Sequence, residues 1–243
     1  MAVAYAVGVG PGDPELVTRK AERILRAADL IVAPVSRAGE PSVALETVRS
    51  FLDDRRQQIL QLPFPMTPDR DQLVDAWRTA AGVIADNVAS GRDVAFITIG
   101  DPLFYSTFIY LLGILRSEWP GVPVEIVPGI TSFCASAAAG SVPLVEADEC
   151  FAVIPATAGI ERIIEALSRF DTVVLLKVRP LFGDILEMLR QTGRTGTTLF
   201  AERVGSERQL ILTDFEQIAA HTPDYLSLMV VRRSPAPGAS FHS

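Results

Sequence analysis

The stretch from residue 95 to residue 110 constrains the fold of this chain more than any other. It begins within a short apolar run, Val94 to Ile99, that is rich in β-branched residues, as buried strands are. The tripeptide Gly100-Asp101-Pro102 then breaks the run, and an apolar helical pattern follows from Leu103 to Leu115. The stretch therefore predicts a strand, a turn and a helix. In open α/β sheets ligands bind at such turns, although an ordinary connecting turn is the alternative interpretation.

Composition excludes several classes of protein. Of the 243 residues, 49% are hydrophobic and 21% are charged, so the chain can bury a large core and is not disordered. The formal net charge of −7 argues against a nucleic-acid partner but is compatible with local basic patches for an anionic small molecule. Two cysteines and no apolar run of membrane-spanning length indicate a reduced, cytoplasmic protein without a membrane partner.

The scarcity of histidine limits the chemistry that side chains can perform. The chain contains only His221 and His242, and its two cysteines lack the spacing of a zinc site. We therefore expect no bound metal. A Ser-His-Asp triad is close to excluded unless His221 is its histidine. The sequence identifies no catalytic residue.

A second glycine-rich turn follows the first predicted strand, Tyr5 to Gly10. It reads Gly8-Val9-Gly10-Pro11-Gly12-Asp13-Pro14, and Asp13 is a favourable N-cap for the helical pattern that follows. The dinucleotide-binding fingerprint requires a third glycine where Asp13 stands, and the two prolines lack N–H groups that could hold a phosphate. The turn therefore disfavours a Rossmann-type pyrophosphate site.

Strand and helix patterns alternate along the rest of the chain, which predicts an α/β fold. We expect two α/β domains, residues 1–120 and 121–233, that meet near the proline- and glycine-rich segment 119–123. The closely spaced last strands predict antiparallel pairing and a mixed sheet in the second domain. Residues 234–243 are predicted to be a flexible tail. Further strands are predicted at 30–33, 58–62, 124–127, 150–154, 172–177, 197–201, 209–213 and 226–231, and helices at 160–169, 181–191 and 214–220.

Three motifs in a fixed order carry a resemblance to a known family. They are Gly-Pro-Gly-Asp-Pro at 10–14, Gly-Asp-Pro at 100–102 and Pro-Gly-Ile-Thr-Ser at 128–132. In this order and in a chain of this length they resemble the tetrapyrrole (corrin/porphyrin) methylases, over about residues 4–233. The runs at 100–108 and 128–134 look like the precorrin-2 C20-methyltransferase branch, which includes the cobalt-precorrin-2 enzymes.

The resemblance implies two α/β domains with a ligand cleft between them, a homodimer, and S-adenosylmethionine as methyl donor with S-adenosylhomocysteine as product. Many relatives carry methionine at the position of Lys177, which favours a contact through its backbone. The positions on which the resemblance places cofactor contacts are Pro11, Ile99, Gly100, Asp101, Phe104, Thr131, Ser132, Lys177, Leu199 and Leu226.

The implied substrate is an anionic tetrapyrrole with many carboxylates, so basic side chains are its expected partners. Each such residue is more often a solvated surface charge, and Glu202 is a ready partner for its neighbour Arg203. Tyr105, Ser106 and Thr107 begin the predicted helix and are expected to face the macrocycle, whereas Tyr110 is interpreted as core. The candidate basic residues are Arg37, Lys177, Arg179 and Arg203.

Methyl transfer suits a chain without an evident nucleophile–base pair. A sulfonium methyl group is already activated, so the protein mainly has to hold the reacting atoms in line, an effect of roughly 7–11 kcal/mol. The favoured function is methylation at C20 of precorrin-2 or cobalt-precorrin-2 in cobalamin biosynthesis. The alternatives are a methylase of the same family acting at another macrocycle carbon, and a noncatalytic α/β ligand-binding protein.

Overall fold

The computed structural model describes residues 1–36, 41–67 and 69–233. They form two compact units, one from Met1 to Thr131 and one that begins at Ser132. Each unit contains a five-stranded sheet together with helices, so the predicted α/β fold is confirmed. Arg37 and the predicted tail, 234–243, lie outside the described residues.

The first unit is built on a parallel sheet with the strand order β3-β2-β4-β1-β5. The chain leaves β1 towards one side of the sheet and leaves β4 towards the other, so the carboxyl ends of these adjacent strands form a topological switch point. The strands are β1 Ala4–Gly8, β2 Leu30–Val35, β3 Gln58–Pro63, β4 Val94–Thr98 and β5 Val124–Val127.

Burial on both faces explains the continuous apolar pattern of β4. Val94 and Phe96 pack on one face, in the same cluster as Phe108 of the helix α4, whereas Ala95 and Ile97 pack on the other. The helices of this unit are α1 Arg19–Ala27, α2 Val43–Val48, α3 Arg70–Ala89 and α4 Phe108–Glu118, with 3-10 turns at Pro14–Leu16 and Arg49–Phe51.

Two helices begin later than the sequence predicts. Asp13 caps only a short 3-10 turn, by accepting the Glu15 N–H at 2.8 Å, and α1 begins at Arg19 with Thr18 as its N-cap. The helix predicted from Leu103 begins at Phe108. Tyr105 has a φ of 51°, in the left-handed region, and this residue cannot continue a right-handed helix.

The second unit contains the predicted mixed sheet. Its strand order is β6-β7-β10-β8-β9; β6 and β7 are parallel, and the other neighbours are antiparallel. The strands are β6 Phe151–Pro155, β7 Thr172–Leu176, β8 Thr198–Glu202, β9 Leu210–Leu212 and β10 Ser227–Arg232. The helices are α5 Ser132–Ala139, α6 Ile160–Arg169, α7 Phe182–Gln191 and α8 Phe215–Ala220, with 3-10 turns at Ala156–Ala158, Arg179–Leu181 and Thr195–Thr197.

The boundary between the units differs from the predicted one. It falls after Thr131 rather than between residues 120 and 121, because β5 pairs in parallel with β1 and completes the first sheet. The proline-rich segment before β5 is thus a connection within the first unit. Within the described ranges, none of the helices combines the length and the apolar character needed to cross a bilayer.

Candidate functional site

Three glycine-containing turns meet at the carboxyl ends of β1, β4 and β5. We name them the first turn (residues 8–14), the second turn (99–105) and the third turn (128–131). The first two are tied by their backbones: the Gly100 N–H donates to the Gly10 carbonyl at 2.7 Å, and the Gly10 N–H donates back at 3.4 Å. The switch point of the sheet is therefore covered by mutually bonded turns.

Gly8 and Gly129 mark the closest backbone approach. A Cβ atom on Gly8 would lie 2.6 Å from both the Gly100 oxygen and the Gly129 nitrogen, and one on Gly129 would lie 2.1 Å from the Gly100 oxygen. Only glycine fits at these two positions. Neither residue is among the predicted cofactor contacts, although both lie in turns that the sequence predicts.

Gly100 is constrained in a different way. Its φ of +71° lies in the left-handed region, yet no described atom would lie within 4 Å of an added Cβ. The need for glycine is thus conformational, and the Cβ side faces open space. The predicted cofactor position has room beside it for a ligand.

The carboxylate of Asp101 braces two of the turns. Its Oδ1 accepts the Leu103 N–H at 2.9 Å within the second turn, and its Oδ2 accepts the Gly129 N–H at 3.1 Å in the third. A carboxylate can accept about four hydrogen bonds, so Asp101 keeps acceptor capacity for a ligand. Its first role in the structure is to hold the turns together.

Thr131 carries a buried hydroxyl with no hydrogen-bond partner among the described residues. Leaving such a group unsatisfied costs about 1–3 kcal/mol, and a ligand atom with hydrogen-bonding capacity would remove that cost. The hydroxyl lies two residues beyond Gly129, in the third turn. Thr172 Oγ1 and Arg232 Nε are also buried without a partner among the described residues, so the Thr131 hydroxyl is a candidate ligand contact because of its place in the third turn.

The remaining predicted cofactor residues of the first unit lie on the same turns. Pro11 is buried, Ile99 is half-buried, and Phe104 is half-buried with its ring edge-on to Tyr105 at 5.0 Å between centroids. Ser132, the next residue after the third turn, begins α5 in the second unit.

The three residues predicted to face the substrate have different environments. Tyr105 is 50% exposed and Thr107 is half-buried. Ser106 is buried, and its Oγ bonds the Thr98 hydroxyl at 3.1 Å and accepts the Phe108 N–H at 3.2 Å. This geometry assigns Ser106 to the protein interior rather than to the predicted substrate surface, because its hydroxyl bonds Thr98 and the N–H of Phe108, the first residue of α4.

In the second unit, charged residues follow two strands. Lys177 after β7 and Arg203 after β8 both have left-handed backbones, with φ values of 56° and 47°. Such non-glycine residues cost about 1–2 kcal/mol each and are frequent at functional sites. Arg179, also predicted to bind the substrate, begins a 3-10 turn and is exposed.

Arg203 pairs with Asp224 and not with Glu202. Its Nε donates to the Asp224 Oδ2 at 2.6 Å, whereas Glu202 accepts the Asp224 N–H at 2.7 Å and lies 3.0 Å from the His221 Nε2. Burial by itself raises the pKa of Asp224, but the hydrogen bonds from Arg203 and the Tyr225 N–H and the charges of Arg203 and Arg179 hold that pKa below its ordinary value. The predicted pairing of neighbours is therefore wrong, since His221 and a backbone amide already occupy Glu202.

Leu199 and Leu226 are placed by backbone pairing. Leu199 is 1% exposed and pairs with Val230 in the sheet. Its side chain fills the space over Gly140, because a Cβ atom added to Gly140 would lie 1.9 Å from the Leu199 Cδ1. The side chain of Leu199 therefore belongs to the core. The Leu226 carbonyl accepts the Arg203 N–H at 2.9 Å and so helps to place that arginine.

Tyr110 is not a core residue, contrary to the sequence interpretation. It is 52% exposed, and its ring stacks on that of Trp77 with centroids 4.0 Å apart and planes 4° apart. The neighbouring Ile109 is 41% exposed. Together, α3 and α4 present an apolar surface, which we name the aromatic face (Trp77, Ile109 and Tyr110).

The parallel sheet and the turns at its switch point define an α/β fold in which three glycine-containing turns are held together largely through backbone atoms. The chain belongs to the tetrapyrrole (corrin/porphyrin) methylases, whose family model matches residues 4–219. The family predicted from the three motifs is thereby confirmed.

Individual relatives cover most of the chain. It is 36% identical to the probable cobalt-precorrin-2 C(20)-methyltransferase of Methanocaldococcus jannaschii, over 94% of this chain and 95% of the relative. It is 40% identical to the cobalt-precorrin-2 C(20)-methyltransferase of Salmonella typhimurium, over 78% of each chain. A precorrin-2 C(20)-methyltransferase of a Sinorhizobium species is 31% identical over 93% of both.

Solved structures agree on the fold. The methyltransferase CobJ matches with a TM-score of 0.70 at 22% identity, over 96% of this chain and 95% of its own. A uroporphyrin-III C-methyltransferase from Thermus thermophilus in complex with S-adenosylhomocysteine matches with a TM-score of 0.65 at 24% identity, over 96% of this chain and 98% of its own.

Proposed function

We propose that this chain transfers a methyl group from S-adenosylmethionine to C20 of precorrin-2 or of its cobalt complex. Relatives of that name are 31–40% identical over most of both chains. The observation in the structure that supports the proposal is the meeting of Gly8, Gly100 and Gly129, two residues before Thr131, whose hydroxyl has no partner among the described residues.

The turns suit a cofactor that is recognised by close backbone approach. Gly100 leaves open space on its Cβ side, Thr131 carries a hydroxyl that no described residue bonds, and Asp101 keeps acceptor capacity. When bound there, S-adenosylmethionine supplies a methyl group activated by its sulfonium. The residues of the first unit and its boundary that are proposed to hold it are Pro11, Ile99, Gly100, Asp101, Phe104, Thr131 and Ser132.

The protein contributes orientation rather than a nucleophile. Hydrogen bonds between the turns hold them in place, and such pre-organisation would reduce the entropy lost on binding. Arg179 and Arg203 are proposed as partners for substrate carboxylates, and Asp224 holds the Arg203 guanidinium in one orientation. Tyr105 and Thr107 are the exposed and half-exposed residues proposed to contact the macrocycle.

We further propose a homodimer in the cytoplasm. The aromatic face exposes large apolar area, and the sequence from Leu103 to Leu115 carries no charge that would repel a second copy of this acidic chain. Cys134 and Cys150 are both exposed and free, as suits a reducing compartment. A monomeric mass by light scattering at micromolar concentration would contradict the dimer.

The decisive experiment offers precorrin-2 and cobalt-precorrin-2 side by side, with S-adenosylmethionine labelled in its methyl group. We expect label at C20 of the product, located by NMR. Label at another carbon would indicate another methylase of the family, and no transfer despite cofactor binding would indicate a noncatalytic binding protein. The ratio of turnover on the two substrates identifies the preferred one.

A further inference from the structure

Thr98 and Ser106 form a buried hydroxyl pair outside the set of residues proposed to touch a ligand. Thr98 is the last residue of β4 and is 8% exposed; Ser106 follows the second turn and is 6% exposed. Their hydroxyl oxygens lie 3.1 Å apart. We name this pair the hydroxyl clasp.

The clasp closes the second turn at its two ends. Residues 99–105 leave the sheet at Thr98 and return at Ser106, so one hydrogen bond joins the points where the turn begins and ends. The turn contains Gly100, Asp101, Phe104 and Tyr105. Its conformation therefore depends on two side chains that face the interior.

The clasp belongs to a chain of hydrogen bonds with one consistent direction. The Phe108 N–H donates to the Ser106 Oγ, the Ser106 hydroxyl can donate to the Thr98 Oγ1, and the Thr98 hydroxyl can donate to the Ile99 carbonyl at 3.4 Å. Each polar group then has a partner in the interior. The same serine thus couples the start of α4 to the end of β4.

Tyr105, beside the clasp, has an unusual backbone conformation, with a φ of 51°. A left-handed tyrosine is unfavourable by itself and persists only where the surrounding structure requires it. Here the reversal at Tyr105 turns the chain so that Ser106 points inward while the Tyr105 side chain remains exposed.

We propose that Thr98 and Ser106 are positioning residues that pre-form the second turn for its ligand. The proposal rests on the proposed function for the identity of that ligand, S-adenosylmethionine. The clasp would act by keeping Gly100 and Asp101 in their bound geometry before binding, so its loss would weaken affinity more than it slows the methyl transfer step.

The test compares two variants of Thr98. Thr98→Val keeps the shape of the side chain but removes the hydroxyl, whereas Thr98→Ser keeps the hydroxyl. Calorimetry with S-adenosylhomocysteine measures affinity, and hydrogen exchange measures the amides of Gly100, Leu103 and Phe104. We expect Thr98→Val to weaken binding by about three- to tenfold, the scale of one lost hydrogen bond, with faster exchange at these amides and a cofactor KM that changes more than kcat. Thr98→Ser should recover wild-type values.

Thr198→Val is the matched control. Thr198 lies in the second unit, is also buried and donates its hydroxyl to the Arg194 carbonyl at 2.8 Å. The valine variant loses this hydrogen bond. We expect Thr198→Val to lower the melting temperature about as much as Thr98→Val does. Affinity for S-adenosylhomocysteine and exchange in the second turn should stay unchanged.

Wild-type affinity and exchange in Thr98→Val would overturn the proposal, as would an equal loss of affinity in Thr198→Val. If the wild-type protein binds no S-adenosylhomocysteine, the proposed function fails. Hydrogen exchange at the amides of Gly100, Leu103 and Phe104 then tests by itself whether the clasp positions the second turn. Faster exchange in Thr98→Val, reversed in Thr98→Ser, then supports it, and unchanged exchange overturns it.

Discussion

The carboxyl ends of the strands differ between the two sheets. In the first unit they lead into glycine turns that contact one another through backbone atoms, with Gly129 against Gly8 and Gly100. In the second unit they lead into Lys177 and Arg203, whose strained backbones present long charged side chains. We name these the first edge and the second edge: the first is formed by closely packed backbone turns, whereas the second carries charged side chains.

The largest effect is expected at Gly129, where the turns of the first edge leave no room for an added side chain. A Cβ atom in Gly129→Ala would lie 2.1 Å from the Gly100 oxygen, so the turns must separate. We expect affinity for S-adenosylhomocysteine to fall more than in any of the other variants, because the turns must move apart, and the free energy of unfolding to fall by about 1–3 kcal/mol. Calorimetry and urea denaturation measure the two.

Gly113→Ala provides the control for that prediction. Gly113 lies in α4 with no described atom within 4 Å of an added Cβ, so alanine should raise the free energy of unfolding by about 0.5–1 kcal/mol. Wild-type affinity in Gly129→Ala would show that the glycine contact does not shape the site.

A substitution at the second edge should change substrate binding and leave cofactor binding unchanged. Arg203→Gln removes a charged donor, and we expect the KM for the tetrapyrrole to rise about tenfold, the loss of one charge-assisted hydrogen bond. Steady-state kinetics and calorimetry separate the two ligands. Arg169→Gln, at the exposed pair of Arg169 with Glu165, should change neither. An equal loss of cofactor affinity in Arg203→Gln would remove the distinction between the edges.

Thr131→Val should change affinity and stability in different directions. Without ligand the variant loses a buried hydroxyl that has no partner among the described residues, so its free energy of unfolding should stay level or rise by up to about 1 kcal/mol. Affinity for S-adenosylhomocysteine should fall about three- to tenfold. Thermal unfolding with and without ligand measures both; lower stability with unchanged affinity would show that the hydroxyl serves the fold.

The smallest effect concerns acid stability at the second edge. Because the folded pKa of Asp224 is lowered, its ionised carboxylate stabilises the fold above the ordinary pKa of about 3.9, and this contribution disappears as the pH falls through the folded value. We expect the stability difference between wild type and Asp224→Asn to be below about 1 kcal/mol at pH 7 and to shrink below about pH 4. Urea denaturation from pH 7 to pH 3 measures it; a constant difference would contradict the ion pair.

Local pattern was sufficient for the strands and for the turns between strand and helix. The apolar run of β4 and the break at Gly100 both reflect neighbours in sequence, and the structure has them where the pattern places them. The start of α4 could not be predicted in this way. It depends on Ser106 reaching Thr98, a contact across the turn that leaves no periodic signal.

The candidate site shows the same limit. Gly8 and Gly129 matter because distant parts of the first unit bring them together, which their own neighbours in sequence do not reveal. Arg203 and Glu202 are adjacent, yet each found a partner from the segment around residues 221–224. The order of the motifs was enough to identify the family. The roles of single side chains could be assigned only from their contacts in the structure.

The pairing of β5 with β1 has a consequence for biosynthesis. Because β5 is the last strand of the first sheet in sequence, a nascent chain that has emerged only to residue 120 leaves the outer side of β1 unpaired, an edge prone to aggregation. β5 covers that edge with only four residues, and its Glu125 binds Lys20 of α1 at 2.7 Å. A recombinant fragment of this unit should therefore end at Thr131, since one ending at residue 120 would lack both the covering strand and the third turn.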